Sequence, residues 1–148
     1  MPEHLTSVVV TSKNKDNSWF NIPTLASGGL WSTANDMAKF MIQISKGILG
    51  ELNSFLPQSL FKEILMKNQV SNYGLGFVVD NKNKAMNLRK VGFNKNYYNQ
   101  MIMFPYTGDG MVIMTNSSQS EKFIQEAINN IAFKHQWPEY NANFNEFN

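Results

Sequence analysis

The sequence has no cysteine and few histidines, and both scarcities exclude kinds of chemistry. Without cysteine there is no disulfide, no thiolate metal site and no cysteine nucleophile, and the redox compartment stays open. The two histidines, His4 and His135, lie far apart in the chain without partners at ligand spacing, so neither a metal nor a cofactor is predicted. No apolar run approaches the roughly 20 residues of a membrane span, and no basic leader precedes a long apolar region as in a signal peptide.

Charge is also sparse. Charged residues make up 16% of the chain and the formal net charge is +2, so neither nucleic acid nor an anionic membrane is expected as the main partner. A length of 148 residues with 43% hydrophobic residues predicts one globular domain that can bury a useful core.

The most informative stretch predicts a β-meander. β-Branched, aromatic and methionine residues fill 88–93, 97–104 and 111–115, and polar or turn residues separate them. The connection 105–110 reads PYTGDG, in which two glycines and an aspartate favour a tight turn, with Asp109 in a turn role. The apolar runs on either side of this turn are nearly continuous rather than alternating, which predicts a sheet covered on both faces.

A helix is predicted over about 33–46. Thr33 followed by Asp36 fits a capping box, and Gly47 is expected just past the helix end. Trp31 and Phe40 are expected in the core, and Gly28 with Gly29 is expected to lead into the helix. Apolar residues recur at helical spacing through Met37, Phe40, Met41 and Ile44.

Two further helices and one more strand complete the prediction. One helix starts near Pro57, and another covers about 120–136 with a capping box from Ser118 to Glu121. The stretch 73–79, YGLGFVV, is predicted as a strand whose glycines allow close backbone approach. The apolar face of the last helix is expected to contain Phe123, Ile124, Ala127, Ile128 and Ile131.

Three stretches together resemble the C-terminal part of the serine β-lactamase-like family, which includes class C β-lactamases, D-alanyl-D-alanine carboxypeptidases (penicillin-binding proteins) and related esterases. They read ASGGLWSTANDMAKF at 26–40, YGLGF at 73–77 and FPYTGDGMVIMTN at 104–116, followed by a helix that ends in Trp137-Pro138.

The resemblance implies an α+β fold that is part of a β-lactamase/transpeptidase-like domain. A three- to four-stranded antiparallel sheet is expected, with the C-terminal helix on one face and the two earlier helices on the other face or to one side. The predicted organisation is an irregular segment over 1–25, the family-like portion over 26–138, and a flexible tail over 139–148.

The resemblance also implies site residues on the first strand of the meander. Lys90-Val91-Gly92 matches the family's third motif, in which the cation helps to hold a substrate carboxylate and the glycine lets substrate lie against the strand. The backbone N–H of Phe93 matches one oxyanion-hole donor. Two departures are visible: Val91 has no hydroxyl, and the residues at 94–98 are bulkier than the family's glycine-rich sequence. From the residues alone, the preferred interpretation of Lys90 is a solvent-facing strand residue beside Arg89.

The family's nucleophile motif, S-x-x-K, and its Tyr-x-Asn motif do not occur in their family context in this sequence. Bare S-x-x-K matches join Ser12 to Lys15 and Ser59 to Lys62, and a four-residue pattern of this kind is expected by chance. The expectation is therefore a fragment of a hydrolase for β-lactams, D-alanyl peptides or esters that is inactive alone. Its expected partners are the missing N-terminal half or a second copy, with a small-molecule or peptidoglycan-type substrate in the complete protein.

Two alternatives stay open at this point. The chain could be a non-catalytic binding or interaction module that retains the scaffold. Tyr97 and Tyr98 could line a cleft or pack across strands.

Overall fold

The computed structural model describes residues 28–52, 54–66, 71–80, 86–94 and 97–137. Within these ranges the chain is α+β, as predicted, with three helices and a four-stranded antiparallel sheet. The N-terminal segment 1–25, the tail 139–148 and the pair Ser12 and Lys15 lie outside the described residues. The elements in chain order are α1 (Ala34–Leu49), α2 (Gln58–Ile64), β1 (Val78–Asp80), β2 (Asn87–Asn94), β3 (Tyr97–Met103), β4 (Gly110–Thr115) and α3 (Glu121–Lys134).

The sheet follows the chain, in the order β1-β2-β3-β4, so the predicted meander is confirmed. At the β3–β4 turn the Phe104 N–H donates to the Asp109 carbonyl at 2.8 Å, and Gly108 has a φ of 82° that a side chain would strain. The Thr107 hydroxyl donates to the Asp109 carboxylate at 2.7 Å, which confirms the turn role of Asp109. Short local bonds therefore set the β3–β4 register.

Helix α1 begins as predicted and ends later than predicted. The Thr33 hydroxyl accepts from the Asp36 N–H at 3.1 Å, which is the expected N-cap. The helix continues to Leu49, and its left-handed cap is Gly50 with a φ of 78°. The prediction for Gly47 was wrong, because this glycine lies inside the helix where a Cβ would overlap the ring of Phe61. Gly47 thus serves close packing of α2 on α1.

Two other local predictions were wrong. Only Val78 and Val79 of the predicted strand 73–79 are in a strand, which continues to Asp80. Tyr73 forms an isolated bridge with Val78, and Gly76, with a φ of 80°, lies in the bend between them. Close approach is nevertheless present, since a Cβ on Gly74 would overlap the Ile64 carbonyl. Helix α3 has Ser120 at its N-cap with no side-chain bond, so Ser118 does not cap it.

Two apolar clusters cover the two faces of the sheet, as the continuous apolar runs predicted. The first joins α1 and α2 to alternate strand residues such as Leu88 and Met103. The second joins α3 and Trp137 to the intervening residues, such as Ile102. Helix α3 thus covers one face and the two earlier helices cover the other. No helix in the described part of the chain has the length and apolar composition to cross a bilayer.

Several apolar residues expected in the core are exposed. Trp31 is 54% exposed and Phe123 is 63% exposed, and Phe40 is also on the surface. Helical periodicity identified the correct helices, but it assigned the wrong face of α3 to the core. The buried residues of this helix are Ile124, Ile128 and Ala132. Phe40 and Phe123 lie on helix flanks and Trp31 lies in the loop before α1, where burial depends on what packs beside them.

Candidate functional site

Strand β2 separates the predicted site residues onto its two faces. Leu88 pairs with Met103, and both side chains are in the cluster under α1 and α2. Lys90 is two positions after Leu88, so strand alternation puts its side chain on the same α1/α2 face. Gly92 follows on the same face. Phe93 lies on the α3 face, opposite Tyr98, and the two rings meet edge to face with centroids 6.1 Å apart. Tyr98 therefore takes part in the cross-strand packing that was one of its two alternatives.

The backbone of β2 beyond Arg89 has an open edge among the described residues. Two hydrogen bonds show which backbone groups of β3 point towards β4. The Phe104 N–H donates to the Asp109 carbonyl, and the Tyr98 carbonyl accepts from the Thr115 hydroxyl at 2.7 Å. Antiparallel alternation then directs the N–H and C=O groups of Val91 and Phe93 away from β3. Strand β1 pairs no further than Arg89, so no described strand meets these groups.

Gly92 is exposed, and open space lies above it. A Cβ at this position would meet nothing nearer than the Cβ of Asn99 at 4.0 Å, so neighbouring described atoms do not require a glycine. Further along the same face, Trp31 lies edge to face against Tyr97 with centroids 6.3 Å apart. The loop before α1 thus lies beside the end of β2 and β3, and the exposed backbone at Gly92 lies between Lys90 and this aromatic pair.

A cavity of about 80 Å³ adjoins the open edge and extends towards α3. It contains polar groups that the sequence analysis did not single out. The Arg89 side chain is only 11% exposed and lies 4.0 Å from the Asp80 carboxylate, and Gln100 is buried. The lining residues are Tyr73, Val78, Arg89, Lys90, Val91, Tyr98, Gln100, Glu121 and Gln125.

Tyr98 is the titratable group of this cavity whose environment is most distinctive. Burial raises the pKa of its phenol above the ordinary 10.0, and the charge and hydrogen bond of Glu121 raise it further. The phenol therefore stays protonated to a higher pH than an ordinary tyrosine, and it is hydrogen-bonded to Glu121 in the cavity wall.

The serine candidate that the structure describes is Ser59, in the first turn of α2. Its hydroxyl and the side chain of Lys62 are on exposed residues at the surface of a short helix. Ser59 and Lys62 do not lie at the open edge of β2. No group of three or more His, Asp or Glu side chains in the described ranges could hold a metal ion.

Sequence reasoning located Lys90 and Gly92 on a strand but missed Arg89 and Gln100. Alternation on β2 was the available signal: once Lys90 is assigned to one face, Arg89 must point to the other. The burial of the Arg89 side chain could not be predicted from the sequence, because this burial depends on the packing of α3.

Residues 2–136 match the β-lactamase family. The chain belongs to this family. The family match and the observed fold together establish a β-lactamase-related, serine-hydrolase-like domain. No curated protein and no solved structure matched the chain in the corresponding comparisons.

Proposed function

We propose that this β-lactamase-family chain supplies the strand side of a serine acyl-transfer site, for β-lactams, D-alanyl peptides or small esters. The observation that supports it best is the open edge of β2, where the Phe93 N–H points away from β3 beside Lys90 and Gly92. An extended substrate could pair with this edge as an added strand.

Each residue has a distinct role in this proposal. The Lys90 ammonium holds the substrate carboxylate from the exposed α1/α2 face. Gly92 leaves room for the substrate to lie against the backbone. The Phe93 N–H donates to the acyl oxygen and stabilises the negative charge that develops on it when a nucleophile adds. One such donor is worth roughly 3 kcal/mol in an acyl-transfer transition state.

The proposal assigns no nucleophile to this chain. Neither S-x-x-K nor Tyr-x-Asn occurs in its family context in this sequence, and Ser59 lies on an exposed helix surface. The chain alone is therefore expected to bind substrate at the β2 edge without forming an acyl-enzyme.

The test is an amide chemical-shift titration with a carboxylate-bearing penicillin and with an acyl-D-Ala-D-Ala peptide. Saturable shifts at the Val91 and Phe93 amides are expected. Lys90→Gln should weaken binding about tenfold, because it removes a charge-assisted contact. Lys122→Gln, on the exposed start of α3, is the matched control and should leave affinity unchanged. Shifts confined to other parts of the sheet would overturn the assignment of this edge.

Intact-protein mass spectrometry tests the absence of a nucleophile. The folded chain is incubated with a labelled penicillin and, separately, with a fluorophosphonate. We expect no adduct. A stable adduct that maps to Ser59 or Ser12 would contradict this part of the proposal and identify an acyl-transfer enzyme complete in this chain.

A further inference from the structure

Gln100, in the middle of β3, is a buried polar residue that the proposed function does not use. Its exposed fraction is 6%, and its side chain is on the α3 face, where Ile102 of the same strand packs into the second cluster. Within the part of the chain that the structure describes, no hydrogen bond joins the Gln100 carboxamide to another residue. Buried carboxamides are normally hydrogen-bonded, so this one requires a ligand or water.

The Gln100 carboxamide faces the cavity of about 80 Å³ between β2 and α3. Neither its oxygen nor its nitrogen is sealed away from that space. A single water needs about 10–15 Å³ of such space, so the cavity has room for a small organic group. Gln100 pairs across strands with Val91, which also lines the cavity and lies at the open edge of β2.

The charged groups of the cavity wall already have partners. The Arg89 guanidinium lies 4.0 Å from the Asp80 carboxylate, and the Tyr98 phenol is hydrogen-bonded to Glu121. These pairs offset charge within the wall itself. The Gln100 carboxamide, which is uncharged, is left for a ligand to match.

Two other polar residues of the wall do not change this conclusion. Gln125 donates from its amide nitrogen to the Asn129 carboxamide oxygen at 3.1 Å. Lys90 borders the cavity, but strand alternation puts its side chain on the α1/α2 face. The ligand is therefore selected mainly by a neutral group that carries one acceptor and one amino donor.

A primary carboxamide matches Gln100 better than other groups of its size. Two carboxamides can form two parallel hydrogen bonds, so that each donor and each acceptor is used. A carboxylate would leave the Gln100 carbonyl unmatched and would lie near the Glu121 carboxylate, whereas an ammonium or guanidinium would leave the Gln100 amino group unmatched. A hydrocarbon would leave both unmatched, and each unmatched buried group weakens binding.

A ligand strand at the β2 edge would bring one side chain to this cavity. Residues directly opposite each other in neighbouring strands project to the same face, so the ligand residue opposite Val91 projects towards α3. Its Cα would lie roughly 10 Å from that of Gln100, two strand spacings away. A side chain of glutamine length reaches the Gln100 side chain across this distance.

We propose that the cavity is a subsite for a primary carboxamide, and that a glutamine-type side chain of a peptide substrate supplies it. With the acyl oxygen at the Phe93 N–H, the residue opposite Val91 in an antiparallel ligand is the second residue of the leaving group. The assignment to a substrate rests on the proposed function. The carboxamide subsite itself does not, because it depends on the cavity and on Gln100.

An NMR titration with three small probes of similar shape tests the subsite directly. Acetamide, acetate and acetone are added in turn to the ¹⁵N-labelled chain, and the side-chain amide signals of Gln100 are followed. Acetamide should give saturable shifts in the millimolar range, as expected for so small a ligand, and acetate and acetone should bind about tenfold more weakly. Equal affinity for the three probes, or no saturable shift with acetamide, would overturn the subsite.

Gln100→Leu separates a binding role from a structural one. This variant should lose acetamide binding while its thermal stability stays equal or rises, because it removes a buried polar group that no described residue matches. Gln119→Leu makes the same change at an exposed position before α3 and should leave acetamide binding unchanged. Unchanged acetamide affinity in folded Gln100→Leu would contradict the role of Gln100.

A set of peptides tests the assignment to a substrate. Acyl-D-Ala-D-Ala is extended by L-Gln, L-Glu or L-Met, and affinity is measured from the shifts of the Val91 and Phe93 amides. The peptide with L-Gln should bind about tenfold more tightly than the other two, and Gln100→Leu should abolish this preference. Equal affinities would overturn the substrate assignment. Binding of acetamide without binding of any peptide at the β2 edge would instead contradict the proposed function and leave the subsite standing.

Discussion

Arg89 and Lys90 are adjacent cations with opposite environments. The Arg89 side chain lies between β2 and α3, only 11% exposed, near the Asp80 carboxylate. The Lys90 side chain is exposed on the other face, beside Gly92. Two positive charges one residue apart thus have different surroundings: the Arg89 side chain is packed inside the protein, and the Lys90 side chain is exposed to solvent. Strand alternation, rather than residue type, makes the difference.

The largest expected effect is on stability, and it tests the comparison of Arg89 with Lys90 directly. Arg89→Ala should lower the free energy of unfolding by about 3 kcal/mol, because it removes a buried side chain whose guanidinium lies 4.0 Å from the Asp80 carboxylate. Lys90→Ala should change it by less than about 0.5 kcal/mol, as expected for an exposed residue. Urea denaturation followed by circular dichroism measures both. Equal destabilisation by the two variants would show that Lys90 is also a structural residue.

A pair of glycines extends the comparison from charge to packing. Gly47→Ala should cost about 2 kcal/mol, since its Cβ overlaps the Phe61 ring and forces α1 and α2 apart. Gly92→Ala adds a Cβ into open space and should leave stability unchanged within about 0.5 kcal/mol. Thermal and urea melts of both variants provide the measurement. A destabilised Gly92→Ala would mean that the surface above β2 is covered.

The loop before α1 contacts the sheet at the start of β3, where Trp31 lies edge to face against Tyr97. Thr33→Ala removes the N-cap bond to the Asp36 N–H and should cost about 1 kcal/mol. Ser32→Ala is the matched control, since its hydroxyl makes only a 3.5 Å contact with the Thr33 carbonyl. Similar losses in both variants would contradict the assignment of the cap to Thr33.

The smallest effect concerns pH on the α3 face. Because the folded pKa of Tyr98 is raised, its contribution to stability is fully present below the ordinary value of 10.0 and is lost as pH rises through the folded pKa. Glu121→Gln should bring the Tyr98 pKa closer to ordinary, although burial still raises it. Glu126→Gln, at an exposed position on the same helix, should leave the pKa of Tyr98 unchanged. Ring NMR signals of Tyr98 followed against pH decide between these outcomes.

The candidate site was only partly predictable from sequence. Lys90, Gly92 and Phe93 could be assigned to one strand because β-branched and aromatic residues surround them, and the family match supports the resemblance on which their roles rest. Their roles stay predictions. The open edge at Phe93 could not be predicted, because it depends on β1 ending at its pairing with Arg89. Nothing within the sequence of β2 itself encodes the length of its neighbour.

Local chemistry in the sequence determined the meander, the turn at Asp109, the N-cap at Thr33 and the existence of the three helices that the structure describes. Each depends on neighbours within a few residues, so periodicity and turn preference suffice. The tertiary structure alone decided that Gly47 is a packing position and that Trp31 is exposed. It also decided which of two adjacent cations is buried. These outcomes depend on contacts between elements distant in sequence, and such contacts arise only once helices and sheet pack together.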